Sequence, residues 1–224
     1  MKVLVLIIAN DTYPYHIYQR LWEKYMNNTT FECYFIKSNP NLETEYLLEE
    51  NTLFIKLEES FYTVLKKTQK ALQFFNLSNY DYIFRTNLSS FIVFDKYKKW
   101  LEILPTEKVY NGSILWYGEF IYASGCGFTL TPDVAKIIMA YDGPLYTMDD
   151  ITIGKICSDN DILVTSAPLS QIFEDTYLIE MKLFDSFDKA FHVRVKTDNR
   201  ANDLSTYFNL VERYYKLNSE IIRS

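Results

Sequence analysis

The chain has 224 residues, 48% hydrophobic and 17% aromatic, with a formal charge of −6, so it is long enough for one sizeable core and too apolar for disorder. No stripe of Lys and Arg could track a phosphate backbone, so nucleic-acid binding is not expected. The three cysteines, Cys33, Cys126 and Cys157, are far apart and lack C-x-x-C spacing, which argues against a disulfide framework or a zinc site and suits a reducing, cytoplasmic setting.

The first element is a continuous apolar run, Lys2 to Ala9, of the kind found in parallel strands covered on both faces. It is too short to span a membrane, no other run is long enough, and no small-residue cleavage site follows it. A helix is predicted over Tyr15 to Met26 from Ile17, Leu21, Trp22 and Tyr25, then strands over Phe31 to Ile36 and Thr52 to Leu57. Glu59 to Asn76 repeats Phe61, Val64, Leu65, Leu72 and Phe75 and is expected to be the longest amphipathic helix. A strand over Tyr82 to Arg85 follows, then a helix over Asp95 to Leu104 stopped by Pro105, and strands over Val109 to Leu115 and Phe120 to Ala123. Gly125 and Gly127 are expected to break the next segment, and Pro132 to open a helix running to Met139. Asp149 to Asn160 and most of Ala201 to Ile222 read as helices.

This order predicts an α/β fold with a mixed, mostly parallel sheet flanked by helices, and a ligand crevice at the carboxyl ends of the strands. One domain is expected, with a nucleotide-binding part over about residues 1–95, an acceptor and catalytic part over about 105–200, and a helical tail over 201–224.

Four stretches carry candidate chemistry. Asn87, Leu88 and Ser89 end a buried strand, where neutral oxygens and amides suit a ribose or diphosphate, or simply satisfy their own backbone. Asp149 and Asp150 open a helix, where carboxylates serve equally as caps or as a general base, and spacing does not choose between the two. Ser124-Gly125-Cys126-Gly127 reads as a Gly-rich turn after a strand, which either lets a ligand approach the backbone or is an ordinary turn, without the spacing of a Walker loop or dinucleotide fingerprint. His192, Arg194 and Lys196 alternate along one face of a strand. They suit a departing diphosphate or a solvated sheet edge.

Glu59-Ser60-Phe61 with Leu65-Lys66-Lys67-Thr68, Tyr82 to Ile92, Tyr122-Ala123-Ser124-Gly125-Cys126-Gly127-Phe128 and Asp149-Asp150-Ile151-Thr152-Ile153-Gly154 resemble, in order, four motifs of one family. These are the D-S-Y…L-x-K-T, Y-x-x-K-T-D-D-D-x-F-V, Y-x-S-G-x-G-Y and E-D-V-x-x-G motifs of the β-1,3-galactosyltransferase and Fringe group, glycosyltransferase family 31, which has the GT-A fold. The resemblance covers about residues 50–160 and extends to small stand-alone transferases of large DNA viruses and bacterial glycan loci.

It implies transfer of a sugar from a nucleotide-diphosphate donor, UDP-linked, to a glycan hydroxyl with inversion. Asp150 would be the base, and Asp149 would help hold the acceptor or the loop. Lys67 falls on the motif lysine, Arg85 and Thr86 fall on the lysine and threonine before the acidic triplet, and His192 aligns with a late histidine that helps bind metal and diphosphate. The triplet itself becomes Asn87, Leu88 and Ser89, poor ligands for a hard cation, so Mn²⁺ or Mg²⁺ would be weakly held or dispensable.

The donor is then expected near Ala9, Asn10, Thr12 and Ser38, with Arg85 to Ser89 beside the ribose and diphosphate and the acceptor near Ser124, Gly125 and Cys126. Lys67, Arg85, His192, Arg194 and Lys196 would compensate the leaving UDP. The alternative is a glycan- or nucleotide-binding module that kept the fold without the chemistry. A nucleotidyltransferase is disfavoured, because no Gly- and Lys-rich phosphate loop follows the first strand.

Overall fold

The computed structural model describes residues 1–172, 190–198 and 200–217. They form two compact units. The first comprises residues 1–10, 31–87 and 104–167. It is built on β1 (Val3–Ile8), β2 (Glu32–Ser38), β3 (Tyr46–Glu49), β4 (Thr52–Ile55), β5 (Tyr82–Asn87), β7 (Tyr110–Tyr117), β8 (Phe120–Leu130) and β9 (Val164–Ser166), with α2 (Val64–Phe74), α4 (Pro132–Ala140) and α5 (Asp149–Asp159). The sheet order is β3-β4-β2-β1-β5-β8-β7-β9. Strands β4, β2, β1 and β5 are mutually parallel, whereas β8 runs antiparallel to β5 and β7.

The apolar run of β1 is explained by its place at the centre: Val3, Leu4, Val5, Leu6 and Ile7 are all buried. Leu4 and Leu6 share a core with Ile36, Leu53, Leu65, Leu72, Ile83, Phe128, Val134 and Ile153, so α2, α4 and α5 seal one face of the sheet. Gln69 fastens two of these helices: its amide, 3% exposed, donates to Tyr141 O at 2.6 Å and to Ile138 O at 3.0 Å, which also accepts from Tyr141 N, at the carboxyl end of α4. Pro132 opens α4 as expected.

The second unit comprises residues 11–30, 88–103 and 168–224. It contains α1 (Tyr15–Tyr25), β6 (Ser90–Ile92), α3 (Phe94–Leu101), β10 (Leu169–Ile172), β11 (His192–Val195) and α6 (Arg200–Tyr215). Tyrosine supplies much of its core, because each ring brings apolar area and a hydroxyl that the strand backbone can satisfy. Tyr25 and Tyr207 share a hydroxyl contact of 3.1 Å, and Tyr207 donates to Ser90 O at 2.8 Å. Tyr215 donates to Ile92 O at 2.7 Å. At the start of α6, Asp203 is fully buried, pairs with Arg200 and accepts from Thr197 N at 2.9 Å.

The structure corrects several expectations. The longest helix among the described residues is α6, with 16 residues, rather than α2, with 11. Glu59 to Asn76 begins instead with a 3-10 turn over Phe61–Thr63, capped reciprocally by Ser60 and Thr63. Gly125 and Gly127 do not break a segment, because both lie inside the 11-residue strand β8, with Gly127 paired to Thr86. Strand β3 was not expected: Leu47 and Leu48, 40% and 42% exposed, sit on a sheet edge, so burial leaves no alternation to read. Residues 218–222 of the expected tail helix lie outside the described residues.

Candidate active site

In the first unit the carboxyl ends of β2, β1 and β5 are neighbours, with Ile8 in register with both Ile36 and Asn87. Ser38, Ala9, Asn10 and Asn87 therefore terminate adjacent strands, the arrangement expected of a ligand crevice. Ala9 N donates to Ile36 O at 3.0 Å, tying the β1 exit to β2. Ser38 Oγ is buried without a hydrogen-bond partner, an orphan that a bound polar ligand could satisfy. Lys67 reaches these ends from α2: its fully buried ammonium donates to Ala9 O at 3.3 Å and pairs with Glu59 at 2.5 Å.

On the β5 side, β8 and the first turn of α5 converge on β5. Arg85, 3% exposed, pairs with Asp149 and donates from Nη1 to Gly125 O at 2.6 Å. Asn87 Nδ2 donates to the same carbonyl at 3.1 Å, and Thr86 Oγ1 donates to Cys126 O at 2.8 Å. Asp150 Oδ2 accepts from Gly125 N at 2.7 Å, and its Oδ1 accepts from Ile151 N at 2.9 Å. Satisfying the helix start accounts for only part of the acidic pair: Asp150 Oδ1 serves the first-turn N–H of Ile151, but its Oδ2 is turned to β8 and Asp149 is turned to Arg85. Each Asp150 oxygen keeps a lone pair for a further partner.

Two glycines allow this convergence. A Cβ on Gly125 would lie 3.0 Å from Asp150 Oδ2 and 3.2 Å from Arg85 Nη1, so any larger residue would press on both charged groups. A Cβ on Gly154 would lie 2.3 Å from Tyr122 Cβ, so only glycine lets α5 come this close to β8. Tyr110, 1% exposed, completes the support by accepting from Ala123 N at 2.9 Å through its hydroxyl.

Burial raises the Asp150 carboxyl above its usual range, and the adjacent Asp149 charge raises it further. The Gly125 N–H, Arg85 and the Ile151 N–H oppose that shift. The outcome is a carboxylate more basic than an exposed one, beside an ion pair that leaves Arg85 little spare charge.

The expected residues are thus divided. The first unit brings Arg85, Thr86, Asn87, Gly125, Cys126, Asp149 and Asp150 together, with Ser124 Oγ accepting from Cys126 N at 3.4 Å. Thr12, Leu88, Ser89, His192, Arg194 and Lys196 belong to the second unit. There Thr12 is exposed and its carbonyl accepts from Tyr15 N at 2.7 Å. Leu88 is a core residue, 2% exposed, and its carbonyl accepts from Trp22 Nε1 at 3.1 Å. Ser89 is buried and its carbonyl accepts from Val195 N at 3.0 Å.

Two expected cations do not offer free charge. Arg85 is committed to Asp149, and His192 is buried, with burial and Arg194 pushing its pKa down to about 3, so the ring is neutral at physiological pH. Nor is β11 a solvated edge, since it lies between β10 and β6. Along its one face His192 is buried, Arg194 half-buried and Lys196 exposed.

At the three positions where the resembled family grips its metal, the side chains are poor cation ligands. Asn87 turns its amide nitrogen to Gly125, Leu88 offers no side-chain ligand, and Ser89 is buried. Among the described residues no group of three His, Cys, Asp or Glu side chains could hold an ion. Also among them, no helix is long and apolar enough to cross a membrane.

Sequence reasoning missed the support of Tyr110, the Glu59 partner of Lys67 and the close packing at Gly154. Gly154 left a signal as the glycine ending Asp149-Asp150-Ile151-Thr152-Ile153-Gly154, and Glu59 and Lys67 stand in one resembled motif, but Tyr110 left none.

No family model matches the chain, and no curated protein sequence matches it. Among solved structures, the chain is similar to a glycosyltransferase involved in the glycosylation of the major capsid of PBCV-1, with a TM-score of 0.56 at 10% identity, covering 93% of this chain and 100% of that one. It also matches the galactosyltransferase LgtC in complex with donor and acceptor sugar analogues, with a TM-score of 0.48 at 11% identity over 98% of this chain and 97% of that one. An active-site mutant of LgtC matches with a TM-score of 0.47 at 10% identity, over 98% of each chain. At such identities the likeness is one of fold: the chain has a GT-A, Rossmann-like α/β architecture, a mixed, mostly parallel sheet flanked by helices.

Proposed function

We propose that the chain is a glycosyltransferase that moves a sugar from a nucleotide-diphosphate donor, UDP-linked, to a glycan hydroxyl with inversion. The observation that carries this reading is the Asp150 carboxylate, made more basic by burial and by Asp149, and held by Gly125 beside the carboxyl ends of the parallel strands. In this role Asp150 accepts the proton of the attacking hydroxyl, which requires hydrogen-bond reach and a raised pKa. Asp149 and Arg85 act as a positioning pair. Their mutual neutralisation fixes the first turn of α5 and keeps a second free carboxylate from repelling the donor phosphates.

The donor would lie across the ends of β2, β1 and β5, with Ser38 Oγ, the Ala9 to Asn10 backbone and Thr86 to Asn87 as polar contacts. Lys67 contributes positive potential at the β1 end, moderated by Glu59. The neutral strand end, with Asn87 where the resembled family has a carboxylate, supports a transfer that does not need a divalent cation held at that position.

Asp150→Asn keeps the shape of the side chain and removes its basicity. Transfer should fall by at least about 100-fold, within the range for loss of a general base, while UDP affinity, measured by calorimetry, changes little. A variant of near wild-type rate would remove Asp150 from this role.

A further inference from the structure

Three aromatic rings from two separate segments meet on the surface of the first unit. Tyr117 and Phe120 face each other across the β7–β8 hairpin with centroids 5.9 Å apart, and Tyr146, from the segment before α5, lies 6.0 Å from Tyr117 and 6.4 Å from Phe120. Tyr146 is 54% exposed and Tyr117 37%, so the cluster remains open to solvent although its members have found each other. Aromatic area left open in this way is characteristic of a binding surface rather than a core.

The cluster is tied to the carboxylates. Thr152 Oγ1 accepts from Tyr146 N at 2.9 Å and donates to Met148 O at 2.8 Å, which locks the segment carrying Tyr146 onto the first turn of α5, where Asp149 and Asp150 stand. Tyr146 precedes Asp150 by four positions, so their Cα atoms are at most about 14 Å apart. A short oligosaccharide covers that span.

Resting on the glycosyltransferase reading above, we infer that Tyr117, Phe120 and Tyr146 form a stacking platform for a pyranose ring of an oligosaccharide acceptor, at a sugar removed from the one that presents its hydroxyl to Asp150. The C–H face of a pyranose is apolar with slightly positive hydrogens, and it complements the negative face of an aromatic ring. The ring's equatorial hydroxyls would project past the stack to the Tyr117 and Tyr146 hydroxyls. A small cluster of three rings, two of them bearing hydroxyls, fits a sugar better than the broad apolar face a protein partner would require.

The test uses the purified full chain with UDP-glucose, UDP-galactose and UDP-N-acetylglucosamine as donors. The acceptors are methyl glycosides of glucose, galactose and N-acetylglucosamine and their β-linked di- and trisaccharides. The trisaccharide should have a KM lower than its methyl glycoside by about tenfold, the size of one aromatic contact. Tyr146→Ala should erase that advantage, with kcat and donor KM within about twofold. Tyr146→Phe should retain most of it. Trp116→Ala serves as control, because Trp116 pairs with Ile121 one position before the Tyr117–Phe120 pair, so alternation directs it to the opposite face of the hairpin, and it should leave the advantage intact.

An unchanged length advantage in Tyr146→Ala, or none in the wild type, overturns the platform. If no donor is turned over, the glycosyltransferase reading fails separately. Saturation transfer from the protein to the trisaccharide C–H protons then decides the platform: a signal lost in Tyr146→Ala upholds it, and an equal or absent signal overturns it.

Discussion

Asp150 and His192 are both buried ionisable groups, and burial acts on them with opposite sign. Desolvation disfavours the charged form, so the Asp150 carboxyl is raised and the His192 imidazolium is suppressed, its pKa falling from 6.5 to about 3. For His192 the folded value lies below the unfolded one, so its contribution to stability is complete above about pH 6.5 and is lost as pH falls toward 3. The unfolded chain binds a proton that the folded chain refuses. Stability measured by urea unfolding should therefore fall with a slope approaching about 1.4 kcal/mol per pH unit in this window from this one site. His192→Gln should lose that component of the slope. Equal slopes in variant and wild type would show that the ring titrates normally in the folded protein.

The pairing of α5 with β8 determines where the carboxylates stand. The hairpin and long strand β8 bring Gly125 to Arg85 of β5, and Gly154 lets α5 settle until its first turn meets the same backbone. In Gly154→Ala the new Cβ would fall 2.3 Å from Tyr122 Cβ, at a position where neither backbone can yield cheaply. Overpacking of this kind costs about 1–3 kcal/mol. Chemical denaturation should show that loss, and transfer should fall with it because Asp149 and Asp150 move with the helix. Full activity and stability in this variant would show that α5 has room to shift without disturbing the site.

For the molecule as a whole, the open question is the charge of the donor diphosphate. The chain is acidic overall, with a net charge of −6, and its strand end offers Asn87 where a metal-gripping carboxylate would stand in the resembled family. Transfer should retain at least about half its rate in excess chelator, since neutral oxygens and amides hold hard cations weakly. Complete loss of activity, restored by Mn²⁺, would instead place a functional cation in the reaction.

The apolar runs of β1 and β5, Leu21, Trp22 and Tyr25 of α1 and Pro132 at the start of α4 were legible in the sequence, because one-dimensional periodicity reports which side of an element is buried, although Tyr18 rather than the expected Ile17 completes the buried face of α1. The position of Asp149 and Asp150 at a helix start was legible too. Their partners were not, because Arg85 and Gly125 lie 64 and 25 residues away along the chain. The same holds for the cations: sequence placed His192, Arg194 and Lys196 on one face of a strand, but only three-dimensional burial shows that His192 is neutral. The sequence by itself determined the order of the main buried strands and helices and the residue types near the strand ends, while the short strands β3, β6, β9 and β10 emerged only in the fold. Tertiary structure decided which charges are cancelled by partners and which carboxylate is left basic, because desolvation and ion pairing depend on contacts that no local pattern encodes.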